Sequence, residues 1–414
     1  MTESWGRYPQ ATHAAEVRLS WLPGLTLPVV GPLLPYGQGR SYGDSCLNDG
    51  GKLLCTAGLD RFISFDAEAG VLRCEAGMTL GEILRLAVPR GWFLPVVPGT
   101  KHVSVGGAIA NDIHGKNHHR VGSFGCHVRS LQLLRSDAGL VEVAPGDELF
   151  SATVGGLGLT GLITWAELAL RRIPLAAVRT EAIPFQGVEG FVALADESDA
   201  RFEYTVAWLD LGSRSTRGIF FRGDHAEGAA RVRGAHGTVP VDLPLINAVT
   251  VRAFNAAYYA AQKLAGASRL QHWDTFFFPL DAVGRWNRLY GRSGLLQFQC
   301  VVPGAEALAA LLEEAPSSPL TVLKRFGTLP SPGMLSFPRP GFTLSLDLPN
   351  RGEETFARIA RLEAIAMEAG GAIYPAKDAR MSAETFSRSF PRRAEFEKQV
   401  DPAFSSSFWR RVAR

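Results

Sequence analysis

Apolar and polar positions alternate along this chain in two registers, and together they predict a mixed α and β protein. Period-two runs at 52–56 (KLLCT), 61–68 (RFISFDAE) and 71–77 (VLRCEAG) predict strands of one meander. Residues 29–38 predict a short strand closing on a turn. From 78 to 91, apolar Leu80, Ile83, Leu84 and Ala87 mark a helical stripe that stops at Pro89-Arg90-Gly91. Residues 127–145 read as two strands around Asp137-Ala138-Gly139. Residues 148–170 read as a short helix, then Gly155, Gly156 and Gly158, then a strand from near Ile163.

The pattern changes beyond Arg172. Strands are predicted over 201–211, 216–223, 272–281, 294–303, 320–327 and 341–349, with helices over 304–315 and 352–371. A sheet with helices on one face fits these runs, and the fold class is α+β. At 414 residues the chain is long for one core, so two domains are expected.

Charge narrows the function classes. There are 43 basic and 40 acidic residues, a net +3, and the basic ones are dispersed, which argues against a nucleic-acid partner. Five cysteines without a C-x-x-C favour a reducing compartment, and MTESWGRYPQ shows no apolar signal-peptide core, so a cytoplasmic location is expected. Residues 19–38 carry no charge, but Pro23, Pro28, Pro32 and Pro35 argue against a spanning helix, since an interior proline costs ~3 kcal/mol.

The candidate chemistry gathers between Gly91 and Arg129, which holds five of the nine histidines among many glycines. Glycines admit close backbone approach, and histidines and amides offer donors and acceptors near neutral pH, so the stretch reads as a cofactor grip. Gly106 and Gly107 permit a tight turn before a short helix or coil. The loop Gly37–Ser45 (GQGRSYGDS) reads as an anion nest or as a plain glycine-rich turn; it is not a dinucleotide-binding G-x-G-x-x-G. Adjacent His118 and His119 do not share a helix face, and no carboxylate stands at ligand spacing, so no metal site is expected.

Four stretches together resemble one family: GRSYGDS at 39–45, LPVVPGTKHVSVGGAIANDIHGKNHH at 94–119, TVGGLGLTGLIT at 153–164 and YPAKDAR at 374–380. The chain is similar to flavin-dependent oxidoreductases of the vanillyl-alcohol-oxidase superfamily. It most resembles the branch that oxidises the 2′-hydroxyl of a polyprenyl-phosphoryl-β-D-ribose to a keto sugar, the first half of an epimerisation to the arabinose donor for cell-wall glycan. PLDAVGRWNRLYG at 279–291 carries the likeness into the second half of the chain. The resemblance implies a two-subdomain PCMH-type FAD-binding domain at 1–175, an inserted substrate domain with a helix-covered antiparallel sheet at 176–371, and a C-terminal segment, 372–414, that completes the first domain. It further implies a polyprenyl-phosphate sugar substrate, an NAD(P)H-dependent keto-reductase partner and a peripheral membrane contact through 19–35, 224–250 or 326–340. A soluble sugar, alditol or aldonolactone oxidase using oxygen is the alternative.

By the same resemblance, the FAD contacts are Gly39, Arg40, Ser41, Tyr42, Gly43, Thr100, Gly106, Gly107, Asn111, Ile113, His114, Gly122, Ile163 and Tyr374. Relatives that bind flavin covalently use a histidine in the first glycine loop. Tyr42 stands near that place here, so non-covalent FAD is expected. Lys377 is the first catalytic candidate, as base or as counter-charge to the reduced ring, against a surface lysine paired with Asp378. His114 is the second, against a structural histidine. Lys116, Gln297, Gln299, Lys324, Phe326 and Ser345 are the substrate-site candidates, with Gln297 and Gln299 on one strand face by period two. Relatives place a cysteine at Ser345 that reacts with nitroaromatic inhibitors. A serine hydroxyl is a far weaker nucleophile, so resistance to that chemistry is expected. Phe277, Phe278 and Thr343 replace more polar residues and imply a somewhat different sugar pocket.

Overall fold

The computed structural model describes residues 2–27, 31–174, 176–213, 216–228, 230, 234, 237–266 and 268–413. The first 170 residues build two sheets. One is parallel, with Lys52–Cys55 between Ala15–Arg18 and Leu33–Tyr36. The other is antiparallel and runs Phe62–Asp66, Val71–Glu75, Leu162–Ala169, Val128–Arg135, Gly139–Val143. The expected single meander is therefore split. Lys52–Cys55 leaves its sequence neighbours because Leu53 and Leu54 are fully buried between parallel partners, a pairing that no local turn announces. Residues 28–30 of the expected 29–38 strand lie outside the described residues.

The helix Leu80–Ala87 begins at a capping box. Thr79 accepts from the Glu82 amide, and the Glu82 carboxylate accepts from the Thr79 amide at 2.8 Å. Leu80, Ile83, Leu84 and Ala87 are fully buried in the core under the antiparallel sheet, and Leu86 packs against it half-buried. Gly106 and Gly107 do not form the expected turn. They lie inside the helix Val105–Ala110, capped by Ser104, whose hydroxyl accepts from the Gly107 amide at 3.3 Å. Close approach is the reason for Gly106: an added Cβ would stand 3.2 Å from that of Ala76.

The second half is one eight-stranded antiparallel sheet, ordered Ser268–His272, Ala177–Gln186, Arg217–Ala226, Tyr204–Asp210, Thr321–Phe326, Gly341–Pro349, Leu295–Val302, Ala372–Ile373. Leu296, Phe298, Cys300, Leu323, Leu344 and Leu346 pack in one core with residues of the helices Gly187–Asp199, Ala305–Glu314 and Glu353–Glu368. Period two therefore turns Gln297, Gln299, Lys324, Thr343, Ser345 and Asp347 to the opposite face.

One expected strand is a helix. HWDTFFFPLD forms the helix Trp273–Phe277 and a following 3₁₀ turn, with the His272 ring accepting from the Asp274 amide at 3.2 Å. Its β-prone aromatics are recruited into the first-half core, where Phe276, Phe277 and Phe278 pack with Phe93. Tertiary burial thus overrides strand propensity. The long helix Ala248–Leu264, unanticipated from the sequence, covers the far end of the open sheet face.

After Ala372–Ile373 the chain returns to the first-half sheets. Leu33 pairs with Phe404, Asp401 accepts from the Ser136 amide at 2.7 Å, and Arg411 binds Asp44 at 2.7 Å and Asp378 at 3.0 Å.

Candidate active site

A cleft of about 1880 Å³ runs between the first-half loops and the open sheet face. One wall is Gly37–Tyr42, Pro98–Ser104, the helix Val105–Ala110 and Ile113–Lys116; the other carries Gln297, Gln299, Lys324 and Ser345, and Tyr374–Lys377 closes the end. Pockets for single small ligands are usually about 300–1,000 Å³, so this cleft has room for a cofactor and a substrate together.

Gly39, Arg40, Ser41, Tyr42, Thr100, Gly106, Gly107, Asn111, Ile113, His114, Ile163 and Tyr374 all line the cleft, as do Lys116, Gln297, Gln299, Lys324, Ser345 and Lys377. Gly43, Gly122 and Phe326 do not. Gly43 abuts the Asp378 backbone, where any Cβ would collide. Gly122 ends the short helix His118–Val121 with a positive φ of 74°, open to glycine. Phe326 supports the site from behind, edge-on to the His114 ring with centroids 4.7 Å apart.

His114 is held at both nitrogens. Nε2 lies 2.9 Å from Gln299 Nε2, and Nδ1 lies 3.3 Å from Lys324 Nζ. With Gln299 donating to Nε2, its second amide hydrogen goes to Thr343 Oγ1 at 3.1 Å. The His114 proton then sits on Nδ1, facing a neutral Lys324. Burial pushes His114 well below its ordinary value, so the ring is neutral. Tyr374 is buried beside it and donates from its hydroxyl to the Asn111 carbonyl at 2.9 Å. His118 and His119 are used separately: His118 Nδ1 accepts from the Gly327 amide at 3.2 Å, and His119 Nε2 lies 3.1 Å from the Phe202 carbonyl.

Three lysines share the chamber. Lys377 Nζ stands 3.9 Å from the Tyr42 ring centroid. Lys116 Nζ donates to the Phe277 carbonyl at 3.0 Å and lies over the Phe276 and Phe277 rings. Burial lowers Lys324 to about 7, helped by repulsion from Lys116 and Lys377, and lowers Lys116 to about 8. Burial also lowers Lys377, and the neighbouring Asp347 carboxylate opposes the shift. Asp347 itself is fully buried and raised by that burial. It accepts from the Gln297 amide, and the Tyr290 hydroxyl also bonds it. The chamber is therefore short of negative charge and suits an anionic guest.

Further along, the Arg40 guanidinium stacks on Trp5 at 4.3 Å, and its Nε is buried without a partner. A long cleft with glycine-lined walls, a guanidinium whose buried Nε has no partner, and three lysines with Asp347 as their one close carboxylate fits a flat cofactor bearing a pyrophosphate. Asp347, Tyr290 and Trp5 are participants that the sequence reading missed. Asp347 was visible as the third member of the Thr343, Ser345, Asp347 alternation; Trp5 carried no signal, because its place depends on a contact across the whole chain.

Comparison with known proteins agrees with this geometry. A family model described as an FAD binding domain matches residues 31–144. The decaprenylphosphoryl-β-D-ribose oxidase of Mycolicibacterium smegmatis is 35% identical over 413 residues, covering 91% of this chain and 88% of that protein. An uncharacterized protein of Streptomyces coelicolor is 32% identical over 81% of this chain and 100% of its own length. An alditol oxidase of a Streptomyces species is 31% identical, but over only 29% of each chain. The fold and the cleft thus define an FAD-dependent oxidoreductase. More narrowly, the chain belongs to the decaprenylphosphoryl-β-D-ribose oxidase family.

Proposed function

We propose that this enzyme oxidises the 2′-hydroxyl of a polyprenyl-phosphoryl-β-D-ribose to the 2-keto sugar, which an NAD(P)H-dependent keto-reductase then converts to the arabinose epimer. The observation that carries the reading is the convergence of Lys377, Lys324, Gln297 and Gln299 from the open sheet face and the C-terminal turn onto one chamber beside the glycine loops. FAD supplies the hydride acceptor when bound. The protein's own part is to hold the sugar and move a proton. Lys377 Nζ, poised by burial, takes the hydroxyl proton. Gln297 and Gln299 orient sugar hydroxyls, Lys324 and Lys116 face the phosphate, and His114 fixes Gln299 and Lys324 in place.

The proposed organisation is an FAD-binding domain at 1–175 and 372–414 around a substrate domain at 176–371. The C-terminal contacts with Leu33, Ser136 and Asp44 support it. FAD is held non-covalently in this reading, because the glycine loop offers Tyr42, a buried phenol whose pKa burial raises, rather than an imidazole. Acid precipitation should leave all yellow colour in the supernatant; a yellow pellet would refute this. A peripheral membrane contact at a cytoplasmic location is part of the proposal. None of the helices among the described residues is long and apolar enough to cross a membrane.

The deciding experiment is anaerobic bleaching of the flavin by polyprenyl-phosphoryl ribose against free alditols. Bleaching by the lipid-linked pentose is expected. Bleaching by alditols alone, with oxygen uptake in air, would replace this reading with the soluble oxidase. The alditol oxidase relative aligns over less than a third of this chain, and that gives the soluble alternative little support.

A further inference from the structure

The cleft does not end at the lysines. Along Thr321–Phe326, Lys324 faces the polar chamber, and Val322, two residues earlier on the same face, opens into a second compartment. Val322 pairs in register with Trp208, and Val206 and Phe221 continue the floor across the next strands. The roof is the helix Ala248–Leu264, which presents Tyr258 and Ala261 to the same space. Tyr258 meets Trp208 edge-on at 4.7 Å, and Trp208 ties its indole N–H to the Pro319 carbonyl at 3.1 Å.

We propose that this apolar arm is the subsite for the isoprenoid chain of the substrate, entering beneath the helix Ala248–Leu264. The inference rests on the polyprenyl-phosphoryl pentose reading. Two observations single out this occupant. First, the arm is continuous with the lysine-bearing chamber, so a ligand with an anionic head and a hydrocarbon tail matches both ends at once. Second, the roofing helix is apolar and cationic. Phe254, which lines the cleft, and Val249 and Leu264 near the helix ends are exposed, and residues 248–265 hold Arg252 and Lys263 but no aspartate or glutamate. Such a roof suits a hydrocarbon chain drawn from an anionic lipid surface.

The test is titration of the FAD-loaded enzyme with geranyl, farnesyl and geranylgeranyl monophosphates below their micelle concentrations, followed by tryptophan fluorescence. Affinity should rise by about tenfold per enclosed isoprene unit, less than full burial of five carbons would give. Ala261 is exposed on the helix, so Ala261→Trp should narrow the arm without disturbing the core. It should abolish the chain-length dependence and leave the flavin spectrum unchanged. Ala265→Trp repeats the block one turn on and serves if the first variant misfolds. Affinity independent of chain length, or a length dependence that survives both variants, would overturn the proposal. So would a dimer that Ala261→Trp splits, which would assign the face to a second copy of the chain. Tail binding without bleaching by the lipid-linked pentose would refute the parent reading alone; bleaching without length dependence would refute this inference alone.

Discussion

One face of the eight-stranded sheet is built in two ways. At the Leu295–Val302 end it carries Gln297, Gln299, Ser345, Asp347 and Lys324 against the glycine loops. At the Tyr204–Asp210 end it carries Val206 and Trp208, with Phe221 beside them, under a single helix. The alternation is the same in both, and so is the backbone. What differs is the partner: the polar end faces other elements' lysines and a histidine, the apolar end faces Tyr258 and Ala261. A sheet face can thus be polar and buried where hydrogen bonds are completed, as at His114, and apolar and open where nothing polar needs completing. The boundary falls within one strand, between Val322 and Lys324.

The contrast predicts that changes at the polar end alter chemistry. The largest effect is expected for Lys377→Met, which removes the group proposed to take the hydroxyl proton. Flavin reduction by substrate under anaerobic stopped-flow conditions should slow by about 10³-fold or more, with FAD still bound. A loss of less than tenfold would move the proton acceptor elsewhere. Gln299→Leu should be the next most damaging, since it strips His114 Nε2 and Thr343 of their partner inside the chamber. A loss of about 10–100-fold in kcat/KM is expected, corresponding to about 1–3 kcal/mol for an unpaired buried polar group.

Lys324→Met makes the polar end resemble the apolar one, and its predicted sign is opposite. The native state holds Lys324 near 7 against an ordinary 10.5, so between those values the unfolded chain binds more protons. Stability should therefore rise with pH across that window, and the penalty is fully present below about 7. The methionine variant should weaken substrate binding yet unfold about 1–2 kcal/mol less readily at neutral pH, a figure discounted because the chamber opens to solvent. Its thermal midpoint should climb less between pH 7 and 10 than that of the parent, the remaining rise coming from Lys116 and Lys377. Asp347→Asn is subtler. The carboxylate holds the Lys377 pKa up, so its removal lets that pKa fall, and the acid limb of the kcat/KM profile should move to lower pH. An unmoved limb would uncouple the two groups. The smallest effect expected is none at all: incubation with a nitroaromatic inhibitor and substrate should leave the mass of the protein unchanged, because Ser345 offers no thiolate.

Much of the site was readable from single stretches. The glycine loop at 37–45, the His114 motif, the two glutamines of Leu295–Val302 and Lys377 are each local patterns, and each of those stretches contributes to the cleft lining. Gly43 and Gly122 sit in the same motifs but face away, because one meets Asp378 and the other closes a helix. A motif identifies a loop; which side of the loop faces the ligand is decided by what packs behind it. The aromatic run at 272–281 misled for a related reason. Its β-prone residues signal burial as strongly as strand, and the core around Phe93 absorbed them as a helix.

Local periodicity sufficed for the strands within 201–211, 216–223, 294–303, 320–327 and 341–349, for the helical stripe of Leu80–Ala87 and for the chemical identity of the groups at hand, because these depend on spacings within a few residues; it did not reach the strand Ala177–Gln186. Only the tertiary structure decided that Lys52–Cys55 joins a parallel sheet, that Asp347 and Tyr290 sit behind Lys377, and that Ala248–Leu264 roofs an apolar arm. Each of those depends on pairing or burial between residues far apart in the chain. Parallel register, the desolvation that lowers a lysine and the continuity of a cleft are properties of space rather than of sequence neighbourhood.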